Sequence, residues 1–133
     1  MVCFVTEELK MNYWFIAAAV MSAFTGLLHL FVGGPETVPA LLAVKDLRKM
    51  SKFTTYYCWH LVSITLFGIA IAFFIAARDA TETTLAVFAT TGAGMFAAWS
   101  LTMIAIFRLK KWHFPQWALF LPSMALGIAG LLA

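Results

Sequence analysis

The chain has 133 residues, of which 63% are hydrophobic and only 11% are charged. Soluble globular domains carry about a quarter charged residues, so this composition excludes an ordinary soluble fold. The formal net charge of +3 does not indicate nucleic-acid binding. The bases lie in short segments between apolar runs, where they are expected to anchor a membrane protein to anionic lipid.

Four apolar runs of the sequence are each long enough to cross a bilayer as a helix. A span needs roughly 20 apolar residues to cross about 30 Å of hydrocarbon, and the runs occupy about 12–33, 53–77, 83–107 and 112–133. Nearly the whole chain belongs to these runs, which leaves little sequence for a soluble lobe. The sequence therefore predicts an all-α integral membrane protein in which residues 1–133 form a single domain.

The beginning of the chain is expected to be a retained helix. The first run lacks the basic segment and the small-residue cleavage site of a removed signal peptide. Tyr13 and Trp14 suit a membrane interface, and Met11 before them is an alternative start of the protein. Cys3 and Cys58 are expected to be free thiols, because the predicted topology places them on opposite sides of the bilayer.

The connections between the runs predict how the spans are arranged. Gly33, Gly34 and Pro35 are typical of a helix stop. Apolar residues then recur every three positions among bases, which predicts a short amphipathic helix along the membrane surface at about 37–50. The other two connections are short, so the spans that they join are expected to be antiparallel neighbours. The predicted fold is an up-down bundle of four transmembrane helices with one interfacial helix.

Lysine and arginine set the predicted orientation, because basic residues in short loops resist translocation. Most of them lie in the first and third connections: Lys45, Arg48, Lys49, Lys52, Arg108, Lys110 and Lys111. The opposite side holds only Lys10 and Arg78. We therefore expect a multi-pass protein of a bacterial inner membrane, with both termini on the outer, periplasmic side.

Three histidines are predicted in the cytoplasmic half of the bilayer. With a rise of about 1.5 Å per residue, His29 lies about 6 Å and His60 about 10 Å from the cytoplasmic ends of their helices, and His113 lies at the mouth of the fourth span. Ionisable side chains at membrane depth are rare and often functional. Because histidines on different helices can hold a haem or a transition metal, the predicted metal ligands are His29, His60 and His113.

Two further residues extend this candidate site toward a cofactor. Tyr57 shares a polar stripe with His60, and Trp99 is deep enough in the third span that its indole N–H needs a partner. That partner is His60, Tyr57 or a bound quinone head group, so the predicted cofactor-binding residues are His29, His60, Tyr57 and Trp99. In the alternative interpretation the histidines only hydrogen-bond carbonyl or hydroxyl groups across the bundle. The sequence contains no HExxH, CxxC or HxxxH spacing, which favours that alternative.

The absence of a catalytic motif from the sequence favours a non-enzymatic accessory, assembly or scaffold subunit. The expected partners are the lipid bilayer, a larger membrane complex or further copies of the chain. The alternative function is a haem-, metal- or quinone-binding redox element, or a small membrane enzyme, that uses the three histidines. A transporter or channel ranks last, because the carboxylates are expected in loops rather than inside the spans.

Overall fold

The computed structural model describes residues 11–133. They form the helices α1 (Tyr13–Leu28), α2 (Gly34–Ala43), α3 (Lys49–Arg78), α4 (Thr83–Phe107) and α5 (Gln116–Leu132), and a π-helical turn, His29–Gly33, joins α1 to α2. No strand occurs among these residues, so the prediction of an all-helical fold is confirmed for them. The predictions for Cys3 and Lys10 lie outside the described residues.

Three of the helices are long and apolar enough to cross a membrane, namely Tyr13–Ala43, Lys49–Arg78 and Thr83–Phe107. The first of these combines α1, the π-helical turn and α2 in one helix of 31 residues. The run expected to form a fourth span corresponds to α5, an apolar helix of 17 residues. α5 is shorter than that run because residues 112–115 form a turn before it begins.

The helix stop predicted at Gly33, Gly34 and Pro35 is wrong, because the chain stays helical through these residues. Gly33 has φ −69° and ψ −34°, and Gly34 has φ −59° and ψ −55°, which are right-handed helical values. In a regular α-helix a proline ring clashes with the carbonyl of the residue four positions earlier. The π-helical turn directly before Pro35 changes the hydrogen-bond spacing from four residues to five and relieves this clash.

The separate interfacial helix predicted at about 37–50 is not formed. Its first part belongs to α2, which ends at Ala43, and residues 44–48 are irregular before α3 begins. Lys52 Nζ in α3 donates a hydrogen bond to the Leu42 carbonyl oxygen across 3.0 Å, which satisfies one of the free carbonyls at the end of α2. Glu36, which was expected in a loop, lies in the first turn of α2.

Small side chains bring the helices together. α1 packs against α3 and α5, and α4 packs against the same two helices. The larger part of the core is alanine: Ala18, Ala19, Ala70, Ala72, Ala76, Ala77, Ala86, Ala89, Ala93 and Ala97. In a membrane, moving an apolar side chain from lipid to a helix interface gains little free energy, because both surroundings are apolar. Close van der Waals contact between helix backbones therefore supplies the packing energy.

Burial is concentrated toward one end of the molecule, which carries the connection 79–82 between α3 and α4 and which we call the short-loop end. In α3 the first buried residue is Ser63, although the helix begins at Lys49. In α4 the last buried residue is Ser100, and α2 buries only Gly34. The opposite end carries the segments 44–52 and 108–115, and we call it the basic end.

Asn12 joins three helices at the short-loop end. Its side-chain oxygen accepts hydrogen bonds from the backbone N–H groups of Trp14 and Phe15, at 3.1 and 3.3 Å, and so caps α1. Its side-chain Nδ2 donates to the Gly130 carbonyl of α5 across 2.9 Å. Its backbone N–H donates to the Ala77 carbonyl of α3, also across 2.9 Å. The beginning of α1 is thereby fixed to both of its neighbours.

Candidate functional site

The π-helical turn places His29 against Trp59 of α3. The two rings stack with their centroids 3.9 Å apart and their planes 18° apart. His29 Nε2 lies 3.3 Å from the Trp59 carbonyl oxygen, and because a carbonyl only accepts hydrogen bonds, the imidazole N–H donates. One face and one nitrogen of His29 are therefore already engaged by the protein.

Gly33 makes room for this stack. A Cβ atom at residue 33 would lie 3.3 Å from the Trp59 ring, which is closer than ordinary van der Waals contact. The π-helical turn thus supplies both the histidine that stacks on Trp59 and the glycine that accommodates its far edge. Such turns are frequent at functional sites, which makes this region the first place to look for binding.

His60 follows Trp59 in α3 and lines a groove between α2 and α3. The Tyr56 ring meets the His60 ring edge-on, with centroids 4.7 Å apart and planes at 87°. The groove has a volume of about 300 Å³ and is lined by Leu30, Gly34, Pro35, Val38, Pro39, Tyr56, Trp59 and His60. Most of this lining is apolar, and His60 and Tyr56 contribute the side chains best suited to hydrogen-bond a ligand.

The other predicted site residues do not join this groove. Tyr57 is 61% exposed on α3, and Trp99 is 63% exposed on α4, so both side chains face outward. His113 is exposed in the turn before α5, where its backbone N–H donates to the Lys110 carbonyl. Of the five predicted residues, the structure brings only His29 and His60 to one region.

The residues available to a metal are few. Across residues 11–133, no group of three or more His, Cys, Asp or Glu side chains is placed to hold a metal ion. Cys58 is exposed and has a free thiol. Ligation by His29 through Nε2 requires the hydrogen bond to Trp59 to break. A metal or haem site at the histidines therefore stays a prediction, and this region offers it two histidines rather than three.

Trp59 belongs to this region but was not among the residues predicted from sequence. A usable signal was present, because the depth estimate that groups His29 with His60 also places Trp59 at that depth. The role of Gly33 had no such signal. It depends on a contact between two helices that local sequence does not encode.

A second group of polar side chains lies inside the bundle. Ser22 Oγ of α1 and Ser123 Oγ of α5 are 3.2 Å apart and hydrogen-bonded. Within the described chain, the buried hydroxyls of Thr90 and Ser100 in α4 have no hydrogen-bond partner. Hydroxyls of this kind commonly bond across or along membrane helices with modest energy, and we assign them a packing role.

The chain was compared with protein-family models, with curated proteins and with solved structures, and no match was found. Fold likeness therefore contributes nothing to a functional assignment.

Proposed function

We propose that the protein is a four-span bundle of a bacterial inner membrane and acts as a non-enzymatic accessory or assembly subunit. In this proposal α5 is the fourth span. Its 17 residues rise about 25 Å, which is close to the hydrocarbon thickness of about 30 Å. Its packing against α1 and α4 supports a place inside the bundle, and the bases between α1 and α3 and between α4 and α5 support termini on the outer side.

The observation that carries the accessory role is the outward face of α4. Its bulky residues recur every four or seven positions along one side and are between 63% and 68% exposed: Phe88, Met95, Trp99 and Ile106. The inward side of the same helix is lined by small residues such as Ala89 and Ala93. α4 therefore presents small side chains to the neighbouring helices and bulky side chains to its surroundings.

Trp99 supports a contact between this outward face and another protein helix. It lies eight residues before the end of α4, about 12 Å along the helix axis, and no hydrogen bond within the described residues involves its indole. A polar N–H left unpaired in hydrocarbon is unfavourable. An acceptor on a neighbouring membrane helix, from another protein or a second copy, would satisfy it, whereas lipid tails offer none.

The proposal is tested by the substitution Trp99→Phe, which keeps the aromatic ring and removes the N–H donor. The protein is tagged at its native level, extracted in mild detergent and sized by native gel electrophoresis. We expect the wild type to migrate as an assembly larger than one chain. Loss of one neutral hydrogen bond of about 1 kcal/mol should weaken that assembly about fivefold.

Trp112→Phe is the matched control, because Trp112 is 76% exposed but lies at the basic end, away from this face. It should leave the assembly unchanged. A wild-type protein that migrates as a single chain at native abundance would contradict the accessory role. An equal loss in both variants would show that the face of α4 is not the contact.

The groove beside the π-helical turn favours a second candidate function, the binding of a lipid-soluble ring molecule such as a quinone. His60 and Tyr56 line this mostly apolar groove, and both side chains can hydrogen-bond a carbonyl or hydroxyl group. The test is the quinone and metal content of protein extracted gently from its native membrane, measured by mass spectrometry. Near-stoichiometric ligand that is lost in His60→Leu and retained in His113→Leu supports this function, and ligand far below stoichiometry in the wild type excludes it.

A further inference from the structure

Two basic segments of the chain meet at the same end of the molecule. α3 begins at Lys49 and ends at Arg78, and α4 begins at Thr83 and ends at Phe107. Only four residues connect these two helices, and the helices pack against each other, so they run in opposite directions. The segments 44–52 and 108–115 therefore lie together at the basic end.

The basic end carries almost only positive charge. Its two segments contain seven bases and one acid, Asp46. Six of the bases are exposed and Lys52 is half-buried: Lys45, Arg48, Lys49, Lys52, Arg108, Lys110 and Lys111. The short-loop end differs, because its connection holds Asp79 and Glu82 beside the single base Arg78. Among residues 11–133, the positive surface therefore belongs to the basic end.

Tryptophan borders the positive surface. Trp112 is 76% exposed, and Lys111 Nζ lies 5.8 Å from the centroid of its ring. Trp117 Nε1 donates a hydrogen bond to the Lys111 carbonyl across 3.4 Å, which ties this turn to the first turn of α5. Tryptophan is enriched at the level of lipid head groups, which favours a position of Lys111 near lipid phosphates.

We propose that the basic end is a binding surface for anionic phospholipid head groups, with the bases of 108–111 beside Trp112 as its centre. The charges of the two partners are complementary, because clusters of bases next to a membrane helix attract anionic lipid. This inference depends on the membrane location of the chain and not on the accessory role, which is tested at the other surface, around Trp99.

The test uses the full chain in mixed micelles that contain phosphatidylglycerol or phosphatidylcholine with brominated acyl chains. Bromine quenches tryptophan fluorescence on contact, so the quenching reports which lipid collects around the protein. We expect phosphatidylglycerol to quench at a lower lipid fraction than phosphatidylcholine. The preference should vanish at about 1 M ionic strength, where charges are screened beyond about 3 Å.

The decisive variant combines Arg108→Gln, Lys110→Gln and Lys111→Gln. An attraction of the expected size corresponds to about fivefold in lipid preference for each base removed. Arg78→Gln, at the short-loop end, is the matched control and should keep the full preference. Circular dichroism confirms that each variant retains its helices, and a variant that unfolds is replaced by the three single substitutions.

Three results would overturn the proposal. They are equal quenching by the two lipids in the wild type, an unchanged preference in the triple variant, and an equal loss in Arg78→Gln. If the triple variant keeps its lipid behaviour but loses a larger assembly on native gels, the bases bind an acidic protein surface instead. If Trp99→Phe dissociates the assembly and keeps the lipid preference, the lipid-binding proposal stands. The two proposals can therefore be tested independently.

Discussion

The two ends of this molecule are built differently. At the short-loop end, Asn12 is hydrogen-bonded to both Ala77 and Gly130, and buried alanines bring the helices close together. In the half of the molecule toward the basic end, the rings of His29 and Trp59 stack on each other, and Tyr56 and His60 line a groove between α2 and α3. The first arrangement specifies the fold, and the second leaves polar and aromatic groups within reach of a ligand.

The size of the side chains explains the difference along a single helix. In α3 the half near the short-loop end buries Ala70, Ala72, Ala76 and Ala77. The half near the basic end carries Tyr56 and Trp59 instead, and neither of these is buried. Small residues allow the helix backbones to approach, whereas large rings hold them apart. The buried residues of α3 therefore concentrate in the half near the short-loop end, where small side chains predominate.

The largest expected effect tests how tightly the bundle is packed away from the basic end. A Cβ atom at residue 127 would lie 3.0 Å from two carbons of the Phe73 ring and would overlap the Thr90 hydroxyl. Phe73 is fully buried and has no free space to enter. We expect Gly127→Ala to destabilise the protein by about 1–3 kcal/mol, the usual cost of overpacking, measured by denaturant unfolding in detergent.

Gly68→Ala is the matched control, because a Cβ atom there meets nothing within 4 Å. It should leave stability unchanged or raise it by up to about 1 kcal/mol, since alanine is the better helix former. If the two substitutions had equal effects, Gly127 would not mark a tightly packed contact. The contrast between the tightly packed helices near the short-loop end and the rings near the basic end would then lose its main support.

The second prediction concerns the three-helix junction at Asn12. Asn12→Ala removes the cap of α1 and the hydrogen bond to Gly130 together. We expect a loss of about 1–2 kcal/mol in the same unfolding measurement, because an N-cap alone contributes about 0.5–2 kcal/mol. Asn12→Asp keeps the capping acceptor and removes the donor to Gly130, so its loss should be smaller. A loss in Asn12→Asp equal to that in Asn12→Ala would show that the contact with α5 matters more than the cap.

The helical architecture was accessible from sequence because hydrophobic length is a local property. The apolar run at 83–107 coincides with α4, and no long-range contact was needed to find it. Features that depend on contacts between helices were not predictable from local sequence. Gly33, Gly34 and Pro35 have the composition of a stop, yet a π-helical turn carries the helix through them, and Trp59 from another helix packs against it.

The candidate site was only partly predictable for the same reason. Depth along a helix follows from counting residues, and this brought His29 and His60 into one group. The direction in which a side chain points depends on the rotation of its helix in the bundle, and Tyr57 and Trp99 face outward. Gly68 precedes the buried Ala72 and Ala76 at four-residue spacing, but a Cβ atom at residue 68 would meet no neighbour, because the contact depends on how the helices lie in the fold.

The third prediction compares His29 and His60. His29 stacks on Trp59 and is hydrogen-bonded to its carbonyl, whereas His60 contacts Tyr56 edge-on beside the groove. We expect His29→Leu to cost about 0.5–1.5 kcal/mol, the range for a pair of aromatic rings, and His60→Leu to cost less. Thermal unfolding in detergent measures both. A larger loss of stability in His60→Leu would mean that the contacts of His60 beside the groove stabilise the fold more than the stack of His29 on Trp59.

The smallest expected effect lies in the connection that gives the short-loop end its name. The Thr81 hydroxyl and backbone N–H donate hydrogen bonds to Asp79 Oδ1 at 2.6 and 2.9 Å, and these bonds, the hydroxyl first, lower the pKa of Asp79 below its ordinary value. A carboxyl whose pKa is lowered by folding favours the folded state at pH values above its unfolded pKa of about 3.9. That contribution disappears as the pH falls through the lower, folded value.

Thr81→Ala removes the stronger of the two causes and keeps the backbone donor. The pKa of Asp79 should therefore rise toward, but not reach, the unfolded value, as measured by carboxyl NMR titration in micelles. Thr84→Ala, an exposed threonine in the first turn of α4, is the control and should leave the titration of Asp79 unchanged. Because Asp79 is fully exposed, solvent screens the interaction, and thermal stability near neutral pH should differ little between the two variants. If the pKa of Asp79 in Thr81→Ala equalled that of the wild type, the backbone N–H of Thr81 alone would account for the lowered pKa, and the hydroxyl would contribute nothing to this turn.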